Sequence, residues 1–206
     1  MSNQTIGFIS PRHSYWLADD ARVFSGPLEQ VVTTSDPGYV DFLAAGNVAT
    51  RWAEDEAGNQ TDASLQAAVG PQRMFVNLDY YTAHAREVKL ASGIVVNGLP
   101  FATDAYTFMS LNSAFIFTQA KTAAEFSWKL PDGSFITLNK LDIEALHNAS
   151  NSYGQACYAC EDDTLTKITA GTITTREQVD AAFAAISASF SGMSADAQKV
   201  RHKKPR

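Results

Sequence analysis

Cys157 and Cys160 form a C-x-x-C motif, and they are the only two cysteines in the chain. A redox-active motif of this kind needs a helix N-terminus, where the helix dipole lowers the pKa of the thiol. Here both cysteines fall in the middle of a helical pattern, on its apolar side. A zinc site needs two further ligands at matching spacing, and the sequence has no second cysteine pair. We therefore expect two core residues, and neither a metal site nor a bound cofactor.

The other polar residues form no catalytic motif. The acidic cluster at 161–163 lacks the alternating oxygen ligands and the glycine of a calcium loop, so we interpret it as a solvated helix face. A glycosidase needs two carboxylates placed about a sugar, and the sequence offers no such pair. We therefore expect no enzymatic activity, with a small glycan-acting hydrolase as the least favoured alternative. The four histidines lie far apart, at His13, His84, His147 and His202.

Charge is distributed unevenly along the 206 residues, whose net charge is −6. Five of the 16 Lys and Arg residues lie in the last eight positions, leaving 11 bases against 22 acids in the rest. An acidic body of this kind makes nucleic acid an unexpected partner. No window approaches the 18 apolar residues of a membrane-spanning helix, and residues 1–10 lack the pattern of a secretory signal. The basic tail is typical of a solvated segment, although it could also bind nucleic acid or an acidic protein surface.

A helix over 139–170 is the element against which the other helices must pack. Its apolar residues recur at steps of three and four, which is the period of an amphipathic helix. Asn139 is suited to cap its start and Gly171 to end it. A stripe of this length must be covered, so the helices before and after it are its expected partners. The predicted stripe consists of Leu141, Ala145, Leu146, Ala149, Tyr153, Ala156, Cys157, Cys160, Leu165 and Ile168.

The chain is predicted to be an α+β protein in which residues 1–70 form a small α+β module. Short runs at 5–10, 15–17 and 29–33 favour strands. Asp36 is suited to cap a first short helix, and Thr61 or Asp62 a second one. Gly70 and Pro71 mark the predicted boundary. A module of this size lies near the lower limit for independent folding, so we expect it to face a partner.

Residues 71–192 are predicted to be a mostly helical domain with two short β-hairpins, followed by a basic tail at 193–206. The Asn97-Gly98 pair predicts a type I′ turn, because both positions suit positive φ angles. A second hairpin is expected around Pro131–Gly133. A capping box beginning at Thr175 predicts the last helix, with apolar residues as far as Phe190. The predicted helices cover 77–91, 105–121, 139–170 and 175–190.

Tryptophan and arginine are the side chains most favoured at protein interfaces. Trp52 follows Arg51 and precedes the polar run at 54–60, so we expect it near a surface loop. The alternative, that Trp52 fills a groove between the two halves, stays open. The candidate partner-binding residues are Trp16, Arg51 and Trp52, together with Lys199, Arg201, Lys203, Lys204 and Arg206 of the tail.

Several runs resemble phage proteins. Residues 85–86, 93–98, 101–104, 128–133 and 167–171, together with a long helix, resemble a domain of unknown function found near the C-termini of tailed-phage proteins. The runs 39–46, 50–52 and 55–58 resemble small tail-fibre-associated and tail-fibre-assembly proteins. The resemblance implies a non-enzymatic protein that binds a tail fibre or other tail proteins, as an assembly chaperone or as a part retained on the virion. A structural baseplate or tail component is the alternative.

The same resemblance implies where the protein acts. Its expected place is the host cytoplasm during assembly, or the tail of the virion, with no membrane partner. It is compatible with a homo-oligomer. The basic tail from Lys199 to Arg206 departs from the commonest pattern of these proteins and leaves the mode of attachment open.

Overall fold

The chain divides into two units, Met1–Tyr81 and Thr82–Arg206, and the described part of the first contains four short strands and two short α-helices. This computed structural model describes residues 10–121 and 125–194. After a 3₁₀ turn at Pro11–His13, the elements are β1 (Tyr15–Leu17), β2 (Val23–Ser25), β3 (Gln30–Val32), α1 (Pro37–Ala44), β4 (Thr50–Arg51) and α2 (Asp62–Val69). The strand order is β3-β2-β1-β4, with antiparallel neighbours except for the parallel pair β1–β4.

The two faces of this sheet pack against different helices because neighbouring strand residues point to opposite sides. Tyr15 and Val23 face α1, where the ring of Tyr15 lies 5.3 Å from that of Tyr39. Trp16 and Phe24 face the other way, into a core that includes Leu65 and Val69 of α2. The small module therefore has two hydrophobic clusters, one on each side of a single sheet.

Local signals predicted much of this unit. Asp36 caps α1 by accepting from the Tyr39 amide, and Thr61 forms a capping box with Ser64 at α2, so both predicted caps are confirmed. The strands at β1 and β3 are confirmed, whereas residues 5–9 of the run predicted at 5–10 lie outside the described residues. The central strand β2 was not predicted. All three of its residues are buried.

The division between the units falls after Tyr81, later than the boundary predicted at residue 70. Gly70–Gln72 is a single 3₁₀ turn that returns the chain to the first unit. The Gln66 side chain donates to the Met74 carbonyl at 3.1 Å and accepts from the Val76 amide at 2.9 Å. Met74 and Val76 are buried in the same cluster as Trp52. A glycine and a proline here mark a turn within the module.

The second unit is mostly helical, and α3 (Leu78–Ala91) crosses the division. Its core combines both hairpins with one face of the long helix. The α+β fold class is confirmed, and both predicted hairpins are present. Within the described residues, no helix is both long and apolar enough to cross a membrane. The further elements are β5 (Ile94–Val96), β6 (Leu99–Phe101), α4 (Ala105–Ala120), β7 (Phe126–Lys129), β8 (Phe135–Leu138), α5 (Lys140–Thr169), α6 (Arg176–Ala184) and β9 (Ser189–Phe190).

The first hairpin supplies two strands of a three-stranded sheet. Asn97 and Gly98 have φ angles of 48° and 80°, which confirms the type I′ turn between β5 and β6. The unpredicted strand β9 pairs parallel to β5. Residues 186–190 were predicted as the end of the last helix, but α6 ends at Ala184. The pairing of β9 with β5 uses backbone groups that a helix would have occupied.

The long helix α5 has 30 residues, is capped by Asn139 with Asp142, and is followed by Gly171 with φ of 71°. The helix and its caps are confirmed, but the stripe is rotated from the predicted one. Leu141 is 65% exposed, whereas Ile143, which the predicted stripe omitted, is fully buried. Ala156 is also exposed, so it does not belong to the stripe. The buried residues of α5 are Asp142, Ile143, Leu146, Ala149, Ser150, Tyr153, Cys157 and Thr164.

Polar side chains fix the segment that follows β9 to the second unit. The Asp142 carboxylate accepts from the Ser194 amide at 2.6 Å. The Asn97 side chain donates to the Met193 carbonyl at 2.6 Å and accepts from the Gly192 amide at 3.1 Å. Met193 is buried in the core of this unit. The turn residue Asn97 therefore both shapes a hairpin and holds a distant segment.

Candidate protein-binding site

Both candidate tryptophans lie inside the first unit. Trp52 is 1% exposed, and its indole nitrogen donates to the Thr61 carbonyl at 2.9 Å. The guanidinium of Arg22 lies 4.7 Å from the Trp52 ring and pairs with Asp62 at 3.0 Å. Trp16 is 9% exposed in the same cluster. Trp52 does lie near an exposed loop, at 54–59, but α2 and its capping residues cover its indole, so the ring is not exposed to a partner.

Among the predicted partner-binding residues that the structure describes, Arg51 is the one whose side chain is exposed to solvent. It is 65% exposed and pairs with Asp19 at 3.0 Å and Glu54 at 2.7 Å. Exposed pairs of this kind contribute little to stability, so Arg51 is free to exchange partners at low cost. Its role in binding stays a prediction. The other candidates, Lys199, Arg201, Lys203, Lys204 and Arg206, lie outside the described residues.

The two cysteines lie on α5 about one turn apart, and both are free thiols. Cys157 is fully buried, and this burial raises the pKa of its thiol. A raised pKa lowers the fraction of reactive thiolate, which is the opposite of what a redox motif needs. Among the described residues, no three His, Cys, Asp or Glu side chains are grouped to hold a metal ion.

A half-open groove of about 450 Å³ lies between the last turn of α3, the first turn of α4 and the middle of α5. Its volume falls in the range of about 300–1,000 Å³ that is common for ligand-binding clefts. The half-exposed rings of Phe108 and Tyr158 form part of its walls. We call this cleft the α3–α4–α5 groove. Its apolar lining is supplied by Leu90, Ala91, Ala105, Phe108, Gly154 and Tyr158.

Most polar groups of the groove already have partners within the unit. Thr103 donates to the Leu90 carbonyl. The Tyr153 hydroxyl donates to the Lys89 carbonyl at 2.6 Å, and burial raises the pKa of that hydroxyl. Groups held in this way fix the shape of the groove and are poorly placed to transfer protons.

The charged groups of the groove are of one sign. Glu87 and Asp104 are the charged residues among its described lining, and both are acids. The Asp104 carboxylate accepts from the Thr107 hydroxyl and amide, and these hydrogen bonds lower the pKa of Asp104. Asp104 therefore stays ionised near neutral pH. Such a groove suits a neutral or basic group with apolar parts and disfavours anions such as phosphates.

Gly154 has an unusual position for a glycine, inside a 30-residue helix and in the wall of the groove. Glycine in a helix interior is less stable than alanine by about 0.5–1 kcal/mol. Packing does not require it here. A Cβ atom built at Gly154 would have no heavy atom of the described chain within 4 Å beyond its own helix backbone. The missing side chain leaves the groove deeper than an alanine would.

A second exposed feature is the outer face of α4, defined by Tyr106, Met109, Ile116 and Phe117. These side chains are 81%, 68%, 62% and 47% exposed, respectively. The buried side of the same helix consists of Leu111, Ala114 and Thr118. The bulkier apolar residues thus point outward. Large contiguous apolar patches on a protein surface are common at contacts with other molecules.

Neither the groove nor the exposed face of α4 was predicted from the sequence. The groove combines residues near positions 90, 104 and 154, which only the tertiary fold brings together. One signal was available, since a glycine inside a helical pattern is a place where close approach or open space is expected. The face of α4 could not be assigned from periodicity, because apolar residues occur on all sides of this helix.

The family described as "Domain of unknown function (DUF4376)" matches residues 77–187, which is more than half of the 206 residues. The match includes every residue that lines the groove and all of α4. No curated protein and no solved structure matches the chain.

Proposed function

The chain belongs to the DUF4376 family, whose description states no activity, and we propose from the α3–α4–α5 groove and the phage resemblance that it is a non-enzymatic tail-fibre-associated protein. It binds a tail fibre or another tail component through protein–protein contacts. The groove receives a side chain or short segment of that partner. The observation that carries this proposal is the apolar, acid-rimmed groove with Gly154 in its wall.

The shape of the groove supports binding of a protein segment. At about 450 Å³, it has room for one or two large side chains and is half open to solvent. The rings of Phe108 and Tyr158 provide flat apolar surface beside the opening. Aromatic walls around an apolar pocket are common where one protein anchors a residue of another.

The charges of the groove restrict its partner. Glu87 is 68% exposed at its side chain, and Asp104 is held ionised by Thr107. An apolar residue flanked by Lys or Arg would fill the groove and pair with these two acids. The hydroxyl groups of Thr103 and Tyr153 both donate to backbone carbonyls, so neither is available as a general acid or base. This arrangement favours binding over catalysis.

The test is direct mixing of the purified chain with the fibre polypeptide of the same phage. We expect a complex in light scattering that forms at low micromolar concentrations or below. Co-expression then separates two modes of action, because a chaperone raises the yield of fibre trimers and is absent from purified particles. A retained component is found in the particles by mass spectrometry. Failure to form a complex with any fibre or tail polypeptide of the phage would contradict the proposal.

A further inference from the structure

The α3–α4–α5 groove suits an apolar residue between two bases, because its walls are apolar and the charged residues of its described lining are Glu87 and Asp104. Hydrogen bonds from Thr107 keep Asp104 ionised, and the Glu87 side chain is 68% exposed. Arg86 reaches Glu87 at 3.5 Å but pairs more closely with Glu161, at 2.9 Å. A long, exposed pair contributes little, so Glu87 remains open to a second base.

The chain itself carries a segment with this pattern. Val200 lies between Lys199 and Arg201, and it is the one aliphatic residue of the 206 that has a Lys or Arg on each side. It belongs to the basic tail, which lies outside the described residues. A valine side chain also fits a groove of about 450 Å³. The tail therefore offers the chemistry that the groove suits.

The described residues end at Ser194, beside the helix that forms one wall of the groove. The Ser194 amide donates to the Asp142 carboxylate, in the first turn of α5, at 2.6 Å. From Asp142, the groove begins at Ser150, about 12 Å along the helix axis, and Gly154 lies about 18 Å along it. An extended chain from Ser194 to Val200 spans at most about 20–22 Å. Val200 is therefore within reach of the groove of its own chain.

Attachment to the same chain favours this contact over the same contact with a second copy. Two exposed charge pairs around one small apolar side chain make a weak site, because solvent screens such pairs. A short linker between two binding partners gives an effective concentration in the millimolar range. A second copy at micromolar concentration is about a thousandfold more dilute than that. The expected occupant is therefore the tail of the same chain.

We propose that the basic tail binds the α3–α4–α5 groove of its own chain, with Val200 between the apolar walls and with Lys199 and Arg201 paired with Glu87 and Asp104. The tail occupies the groove until a fibre segment that binds more tightly displaces it. It is thus an internal competitor for the binding site. This regulatory role rests on the proposed function, whereas the contact between tail and groove does not.

The first experiment locates the tail by disulfide formation within the chain. In a Cys160→Ala background, Gln155→Cys with Val200→Cys places one thiol at the exposed groove lining of α5 and one in the tail, where cysteine keeps a small apolar side chain. The matched control is Leu141→Cys with Val200→Cys. Leu141 is 65% exposed on the same helix and adjoins Asp142, which holds the Ser194 amide. A tail without a binding site would meet residue 141 more often, because residue 141 lies closer to Ser194.

The two bridges are compared by their rates under mild oxidation. We expect the 155–200 bridge to form within one chain at least about tenfold faster than the 141–200 bridge, because docking raises the local concentration of the tail thiol at the groove. Mass under non-reducing conditions separates an intrachain bridge from a covalent dimer. Faster bridging at residue 141, or a dimer as the main product, overturns the proposal.

The charges of the groove are tested in the same assay. Glu87→Gln with Asp104→Asn removes both acids, and asparagine keeps a good N-cap at residue 104. The rate of 155–200 bridging should fall by roughly three- to tenfold, because two exposed charge pairs are lost. Asp162→Asn with Asp163→Asn is the matched control, since it removes two exposed acids of α5 outside the groove lining. Equal losses in the two variants overturn the pairing of the tail with the groove acids.

The last experiment titrates the fibre polypeptide into variants of the chain. Lys199→Glu with Arg201→Glu releases the tail, so it should lower the Kd for the fibre by roughly three- to tenfold. The control, Lys129→Glu with Lys167→Glu, makes the same change in net charge at exposed positions outside the groove lining and should bind as the native chain does. Unchanged or weaker binding by the tail variant overturns the regulatory role. Absence of fibre binding in every variant, with the 155–200 bridge intact, supports the tail contact and contradicts the proposed function alone.

Discussion

Gly154→Ala should stabilise the protein, which is unusual for a change in the wall of a binding groove. Alanine is favoured over glycine in a helix interior by about 0.5–1 kcal/mol. The added methyl group meets no atom of the described chain within 4 Å outside its own helix backbone, so no clash offsets this gain. For a chain of this length, that gain corresponds to roughly 1–4 °C in Tm. Urea denaturation followed by circular dichroism measures the free energy of unfolding.

Gly171→Ala is the matched control for this measurement. Gly171 follows the same helix but has a φ of 71°, a conformation that is strained for alanine. The control should lose stability while Gly154→Ala gains it. If Gly154→Ala lowered the free energy of unfolding, then the helix at residue 154 would be packed against a neighbour and the groove would not have the depth described.

Three further predictions concern the cores of the two units. Leu146→Ala should lower the free energy of unfolding by about 2–5 kcal/mol because Leu146 is buried. Leu141→Ala should change it by less than about 0.5 kcal/mol because Leu141 is exposed. Equal losses in the two variants would contradict the register of α5. Trp52→Ala should cost about 3–5 kcal/mol because the buried indole and its bond to Thr61 are lost, and an unchanged urea midpoint would contradict this burial. A thiol reagent should modify Cys160 before the buried Cys157, and similar rates at both thiols would contradict the burial of Cys157. The double variant Cys157→Ala, Cys160→Ala should leave fibre binding intact.

Interactions between near neighbours in the chain were predictable from the sequence. The caps at Asp36, Asn139 and Thr175 each involve residues three apart, and each is present. The Asn97-Gly98 turn is also local, because its two positive φ angles depend on the residue types alone. These signals were sufficient for the helices, both hairpins and the α+β class.

Features set by long-range packing were not predictable in this way. The strand β9 exists because β5 offers a free edge more than 90 residues earlier in the chain. The register of α5 depends on the hairpin core that selects Ile143 and leaves Leu141 exposed. Trp52 looked exposed because the run after it is polar, but α2 folds back over it. The groove likewise needs three helices to be in place.

The most direct test of the central claim is a titration of the fibre polypeptide into the native chain and two variants. Gly154→Phe fills the α3–α4–α5 groove, and Ala156→Phe adds the same side chain two residues away, at an exposed position outside the groove lining. Each variant is first shown to unfold at the native Tm or above. Our account predicts that Gly154→Phe weakens fibre binding by about tenfold or more, while Ala156→Phe binds as the native chain does. Unchanged binding by Gly154→Phe would contradict the account, because the partner would then have to contact another surface.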